Sequence, residues 1–365
     1  MAGSKHAHNP WWTILVPLAA AALVIAYLAG LVPKDQPVIF VIEAAILLGT
    51  VFSSVHHAEV VGNRVGEPFG SIILAVSVTI IEVGLIVALM LAADDGGPTI
   101  ARDTVYSAVM LVLTGIIGLC LVVGGHKHHE QTIKVTGSSS YLAVLGTLTV
   151  SALILPNFTT STAGPTYSAA QLTAVALVSI MLYGAFMFVQ TVRHRDYFLA
   201  AADDSHAEDY EPPSNRQTLA SLAFLLVSLV GVVLLAKMLA PALDELIDMA
   251  GLPPEFTGVV IAALVLAPES IAAVRASLAN RPQTAINLAL GSALASIALT
   301  IPVITMLGAF DNVQLLLGVP PSKIVLLSLA LFVSAITLLP GRTTVLQGFV
   351  HLGLFIMFVV VAAVP

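Results

Sequence analysis

Eleven times along its 365 residues the chain runs for about twenty residues with almost no charge. A backbone in lipid finds no water to bond, so such runs must be helices. They lie roughly at 12–32, 36–61, 68–93, 103–125, 139–157, 168–191, 217–239, 255–278, 283–308, 321–339 and 344–364. Composition agrees: 58% of residues are hydrophobic and 10% charged, where a soluble domain carries about 25% charged. The expectation is an all-α polytopic membrane protein of about eleven spans. The first run follows "KHAHNP" and is too long for a signal-peptide core, so it counts as a helix. The single cysteine, Cys120, lies inside an apolar run, which excludes a disulfide framework and a Cys-based metal site. No GxxxxGK[ST] phosphate loop is present, so no ATP site is implied.

Basic residues between the runs orient the chain. Numbering the gaps alternately, one side receives ten: Lys5, Arg64, Lys127, Lys134, Arg193, Arg195, Arg216, Arg275, Arg281 and Arg342. The other receives four, Lys34, Arg102, Lys237 and Lys323. This asymmetry places the N-terminus in the cytoplasm and the C-terminus outside.

The longest polar stretch, "RHRDYFLAAADDSHAEDYEPPSNR" at 193–216, reads as a cytoplasmic linker. It divides the chain into an N-terminal segment with a peripheral helix (1–35), a first five-helix repeat (36–192) and a second (217–365). An odd number of spans per half inserts the halves in opposite directions, the inverted-repeat plan of many secondary transporters.

Glu82 lies near the middle of "GSIILAVSVTIIEVGLIVALMLA" (70–92), and Glu269 roughly mid-span in "TGVVIAALVLAPESIAAVRASLAN" (257–280). Each occupies the second helix of its half, so the inverted plan lets the acids meet at mid-depth from opposite sides. A carboxylate in the bilayer core must face a cavity, a partner or a cation. Desolvation raises its pKa, and a second carboxylate nearby raises one of the pair further. Such a pair holds protons until a cation supplies the compensating charge, which is the chemistry of exchange. Hard cations prefer several oxygen ligands. Thr114, Asn287, Ser292 and Ser296 are candidate oxygens on the following helix of each half. Pro268 is expected to free the Leu264 carbonyl beside Glu269. The bland alternative is a protonated glutamate that only bonds a neighbouring helix.

Other polar features stand near helix ends. His56 and Glu59 in "SSVHHAEV" (53–60) fall on one helical face and form a candidate proton relay or cation access point, set against a plain interfacial helix end. "HKHHEQ" (126–131) invites a metal-binding reading, but a structural or pH-sensing loop is the stronger expectation. Glu43, about two turns inside its helix, either lines an outward vestibule or reaches the headgroups. The acidic cluster 203–211 lacks the EF-hand order and reads as solvated linker.

"GEPFGSIILAVSVTIIEVGL" (66–85) and "APESIAAVRASLANRPQTAINLALGSALASIALTIP" (267–302) resemble the two alpha repeats of the calcium/cation antiporter superfamily. They look most like the ChaA-type bacterial branch of calcium–proton exchangers, and "GGHKHHEQ" and "VQTVRHRDYF" add to the likeness. The resemblance implies export of cytoplasmic Ca²⁺ in exchange for protons by alternating access in the bacterial inner membrane. It carries the essential acids onto Glu82 and Glu269, the "GE" before the first repeat helix onto Gly66 and Glu67, and the "GSA" onto Gly291, Ser292 and Ala293. Where many members have Gly-Asn before each acid, this chain has Val78-Thr79 and Val265-Leu266, and a common Gln falls on Ala295. Thr79 can replace one ligand; Leu266 cannot. The competing expectations are a Na⁺ or K⁺/proton antiporter on the same scaffold, an intramembrane hydrolase and a passive channel. The expected partners are an inorganic cation, protons and the bilayer, with no nucleic acid and no resident cofactor.

Overall fold

The computed structural model describes residues 9–32, 37–66, 69–93, 97–198, 213–311 and 314–365. Glu67 and the acidic cluster 203–211 lie outside the described residues, as do Lys5 and Lys34 of the charge count. Among the described residues, ten helices are long and apolar enough to cross a membrane. One bent pair brings the number to eleven if it is a single span.

In chain order the helices are α1 (Trp11–Leu28), α2 (Pro37–Val65), α3 (Phe69–Met90), α4 (Ile100–Met110), α5 (Ile117–His128), α6 (Val135–Thr149) and α7 (Ala169–Phe188). They continue with α8 (Asn215–Met249), α9 (Phe256–Val265), α10 (Ala267–Leu278), α11 (Pro282–Asp311), α12 (Pro321–Leu338) and α13 (Val345–Ala363). A π-helical turn, Leu111–Ile116, joins α4 to α5 without a break in the span. Capping boxes start three of the helices: Ser168 with Gln171 on α7, Ser214 with Gln217 on α8, and Thr344 with Gln347 on α13. The expectation of helix alone misses a small sheet. Strands β1 (Glu130–Thr132) and β2 (Arg342–Thr344) pair antiparallel, with Gln131 opposite Thr343.

The chain forms two compact units. One contains α1, α2, α3 and α8 as far as Glu245. In it, α2 and α3 touch backbone to backbone, because a Cβ on Gly62 would fall 2.8 Å from the Gly70 carbonyl oxygen. Pro17 in α1 has no N–H, so it leaves the Thr13 carbonyl without a helical partner. Ser53 Oγ and His57 Nε2 of α2 both donate to that carbonyl, at 2.7 and 2.9 Å. His57 also stacks on Phe224 of α8, with ring centroids 5.5 Å apart. The proline is thus why α1 is pinned to α2.

The second unit contains α4 to α7 and α9 to α13. Its buried ionic cluster starts at the first turns of α4 and α12. Asp103 accepts two bonds from Arg102, at 3.0 and 2.9 Å, and one from Lys323 Nζ at 3.0 Å. Side-chain exposure is 8% for Arg102 and Lys323 and 3% for Asp103, so the three sit out of water. Lys323 also lies 5.6 Å from the Tyr106 ring centroid. Two residues counted from sequence as flanking charges are therefore structural ties between α4 and α12. Removing the shared anion leaves two buried cations facing each other. Asp103→Asn should destabilise the protein by about 3–5 kcal/mol, read as a lower Tm in detergent; an unchanged Tm would show that the cluster is not holding the unit.

Candidate functional site

Glu82 and Thr79 belong to the first unit, and both lie on α3. This helix carries no proline or break, so Glu82 sits within a regular ladder, 3% exposed. Thr79, 4% exposed, is three residues earlier and therefore on the same face. Its hydroxyl donates to the Ala75 carbonyl at 2.9 Å, which leaves its lone pairs to accept or to ligate.

Glu269 belongs to the second unit, and its helix is broken as Pro268 predicts. The axis bends by 57° between α9 and α10. Glu269 falls in the first turn of α10, where the positive end of the helix dipole favours a carboxylate. The freed carbonyl is not where the sequence places it. A backbone N–H of the α9 cap donates to Leu264, so that oxygen is satisfied within the bend. Ser270 closes the other side, since its N–H and its hydroxyl both donate to the Leu266 carbonyl, at 2.8 and 2.6 Å.

The second unit gathers further candidate oxygens at the level of Glu269. α10 packs against α5, against the π-turn and against α11. Ser277 Oγ donates to the Cys120 carbonyl at 2.6 Å, which fixes the register of α10 beside α5. Eight residues back from Ser277, about 12 Å along the axis, is Glu269. The same step back from Cys120 reaches the π-turn that carries Thr114. Across the turn at 279–281, Ser292 lies as far into α11 as Glu269 lies into α10. Ser296 follows one helical turn later on the same face. Thr114 and Ser296 are buried, at 0% and 1% exposure, while Glu269 and Ser292 are half-buried.

Asn287 is placed differently from the expectation. Its Nδ2 donates to the Phe198 carbonyl at 2.6 Å, and its Oδ1 accepts from Gln283 at 2.9 Å. It ties α11 to the segment that follows α7, one turn before Ser292, and both polar atoms of its amide are engaged in that tie. The His56–Glu59 pair is also not formed. His56 Nε2 is 3.4 Å from Asn9 Oδ1, and Glu59 is exposed. The buried histidine of that motif is its neighbour His57, which the spacing argument passed over. Glu43 is 6% exposed, packed inside protein rather than reaching outward to headgroups.

The "HKHHEQ" loop has a structural task. Lys127 Nζ and His128 Nε2 each approach the Leu278 carbonyl at 3.0 Å, at the last residue of α10. Gln131, 2% exposed, donates to the Ser277 carbonyl and to Asn280 Oδ1, at 3.2 and 3.3 Å. These donors answer the open carbonyls at the C-terminus of the helix that carries Glu269. Gly124 makes the room, because a Cβ there would run into the Gln131 and Ser277 side chains.

Comparison with known proteins adds an independent line. The family described as sodium/calcium exchanger protein matches residues 36–192 and 220–364. The sodium-potassium/proton antiporter ChaA of Escherichia coli is 38% identical over 342 residues, 92% of each chain. The protein y4hA of Sinorhizobium fredii, described only as an ionic transporter, is 48% identical over 365 residues, 99% of this chain and 98% of its own. Among solved structures, the Ca²⁺/H⁺ antiporter YfkE superposes with a TM-score of 0.73 at 17% identity, covering 97% of this chain and all of its own. That likeness speaks for the shared polytopic fold. Two matched segments spanning most of the chain, and close relatives over its full length, lead to one statement: this multi-pass membrane protein belongs to the sodium/calcium exchanger family.

Proposed function

We propose that the chain is a secondary antiporter that exports a cytoplasmic cation, Ca²⁺, in exchange for protons by alternating access. The observation that carries the reading is a pair of mid-span carboxylates: Glu82, 3% exposed within unbroken α3, and Glu269, in the first turn after the α9–α10 break. Proton and cation compete for their oxygens. On the cytoplasmic side a cation displaces protons; on the outer side it leaves and the acids are reprotonated. Two carboxylates balance the charge of one divalent ion. Thr79, Thr114, Ser292 and Ser296 are the oxygens proposed to complete its coordination. The chain is read as a transporter rather than an enzyme, in the bacterial inner membrane with its N-terminus cytoplasmic. Two of the four basic residues counted on the outer side are bound to Asp103, which sharpens the charge asymmetry behind that orientation.

A second reading takes Na⁺ or K⁺ as the cargo. It is favoured by the relative that is 38% identical over 92% of the chain and is named a sodium-potassium/proton antiporter. Neither Val78-Thr79 nor Val265-Leu266 brings a side-chain amide to the acids, so the ligand set is poorer than a strict Ca²⁺ site requires.

Purified protein in liposomes with an imposed proton gradient and an internal pH dye separates the readings. Ca²⁺ should collapse the gradient, and Glu82→Gln or Glu269→Gln should abolish the response while the protein stays folded. Collapse by Na⁺ or K⁺ but not Ca²⁺ would move the cargo to the second reading. No response to any of the three by folded wild-type protein would overturn proton-coupled exchange.

A further inference from the structure

His351 lies in the second turn of α13 with 0% exposure, and the exchange chemistry above makes no use of it. Both ring nitrogens are engaged. Nδ1 is 2.6 Å from the Leu113 carbonyl, and Nε2 is 3.1 Å from Thr337 Oγ1 on α12. A carbonyl can only accept, so these partners assign the proton to Nδ1 and make Nε2 the acceptor of the Thr337 hydroxyl.

Leu113 belongs to the π-turn Leu111–Ile116. Such a turn interrupts the regular helical ladder and recurs at functional sites. A backbone carbonyl released from the ladder in lipid needs a partner from elsewhere in the protein, and His351 supplies it. The close approach is built into both helices. A Cβ on Gly118 of α5 would lie 3.0 Å from the Leu352 backbone nitrogen, and one on Gly348 of α13 would lie 2.7 Å from that of Val122. The residue after Leu113 is Thr114, whose hydroxyl donates to the Met110 carbonyl at 2.5 Å and so keeps its lone pairs available.

We propose that His351 is a positioning residue for cation binding: by bonding the Leu113 carbonyl, it holds the π-turn that sets Thr114 at the depth of Glu269. The inference rests on the antiport reading, and it assigns a role to a residue on the last helix, outside both acid-bearing segments.

Asn and Gln substitutions separate the two ring contacts, because an Asn amide reaches the place of Nδ1 and a Gln amide that of Nε2. In proteoliposomes, His351→Leu and His351→Gln should raise the cation KM about tenfold, the loss expected for one buried hydrogen bond, with kcat little changed. His351→Asn should keep KM near the wild-type value. Should the Leu variant fail to fold, the contrast between Asn and Gln decides. Calorimetric titration of Ca²⁺, Na⁺ and K⁺ into the same proteins in detergent reads Kd without transport and should follow the same order. Unchanged KM and Kd in the Leu and Gln variants, or rescue by Gln instead of Asn, would overturn the role of His351. Wild-type protein that binds a cation without exchanging it would overturn the antiport reading alone; wild-type protein that does neither would overturn both.

Discussion

Inside a bilayer every backbone N–H and C=O must be answered from within the protein, and three irregular points of this chain show how that demand is met. Where Pro17 releases the Thr13 carbonyl, Ser53 and His57 bind it and lock α1 to α2. Where Pro268 breaks the ninth and tenth helices apart, Ser270 and the α9 cap take up the carbonyls of Leu266 and Leu264. Where the span Ile100–His128 passes through a π-turn, His351 reaches across to Leu113. The first and the last of these departures are therefore also fixed contacts between helices. Two of the three lie in the span of Glu269 or in one packed against it.

The charges divide by the same logic. Asp103 sits between two cations, Arg102 and Lys323, and so ties α4 to α12. Glu82 shares a face of α3 with Thr79, and Glu269 precedes Ser270 at the start of α10. A hydroxyl can ligate a cation and can equally bond a protonated acid, which suits the proposed exchange of one for the other.

Much of this was legible in the residues. Long apolar runs need only composition and length, so the spans, the mid-span acids and the break at Pro268 could be read directly. The π-turn could not. "LVLTGI" contains no proline, its one glycine is of a kind common in membrane helices, and the packing against α13, where Gly118 and Gly348 let the backbones meet, leaves no local pattern. His351 was invisible for the same reason: in sequence it is the one ionisable residue of an ordinary apolar run, and its partner is 238 residues away. Between His56 and His57 the helical spacing singles out His56, whereas the carbonyl that binds His57 is freed by a proline on another helix. Asn287 had the right chemistry for a ligand but is claimed by Phe198 and Gln283. The fold followed from local pattern, whereas the support of the site came from long-range contacts that leave no periodic trace.

In the proposed exchange, cation and proton contend for the same carboxylates. The most direct measurement is proton release on cation binding: purified protein in weakly buffered detergent is titrated with Ca²⁺, Na⁺ or K⁺ while a pH indicator records the protons set free. Protons should be released in proportion to the cation bound, and the release should be lost when Glu82 and Glu269 are both replaced by glutamine. Binding without proton release, or release that survives both substitutions, would contradict that exchange.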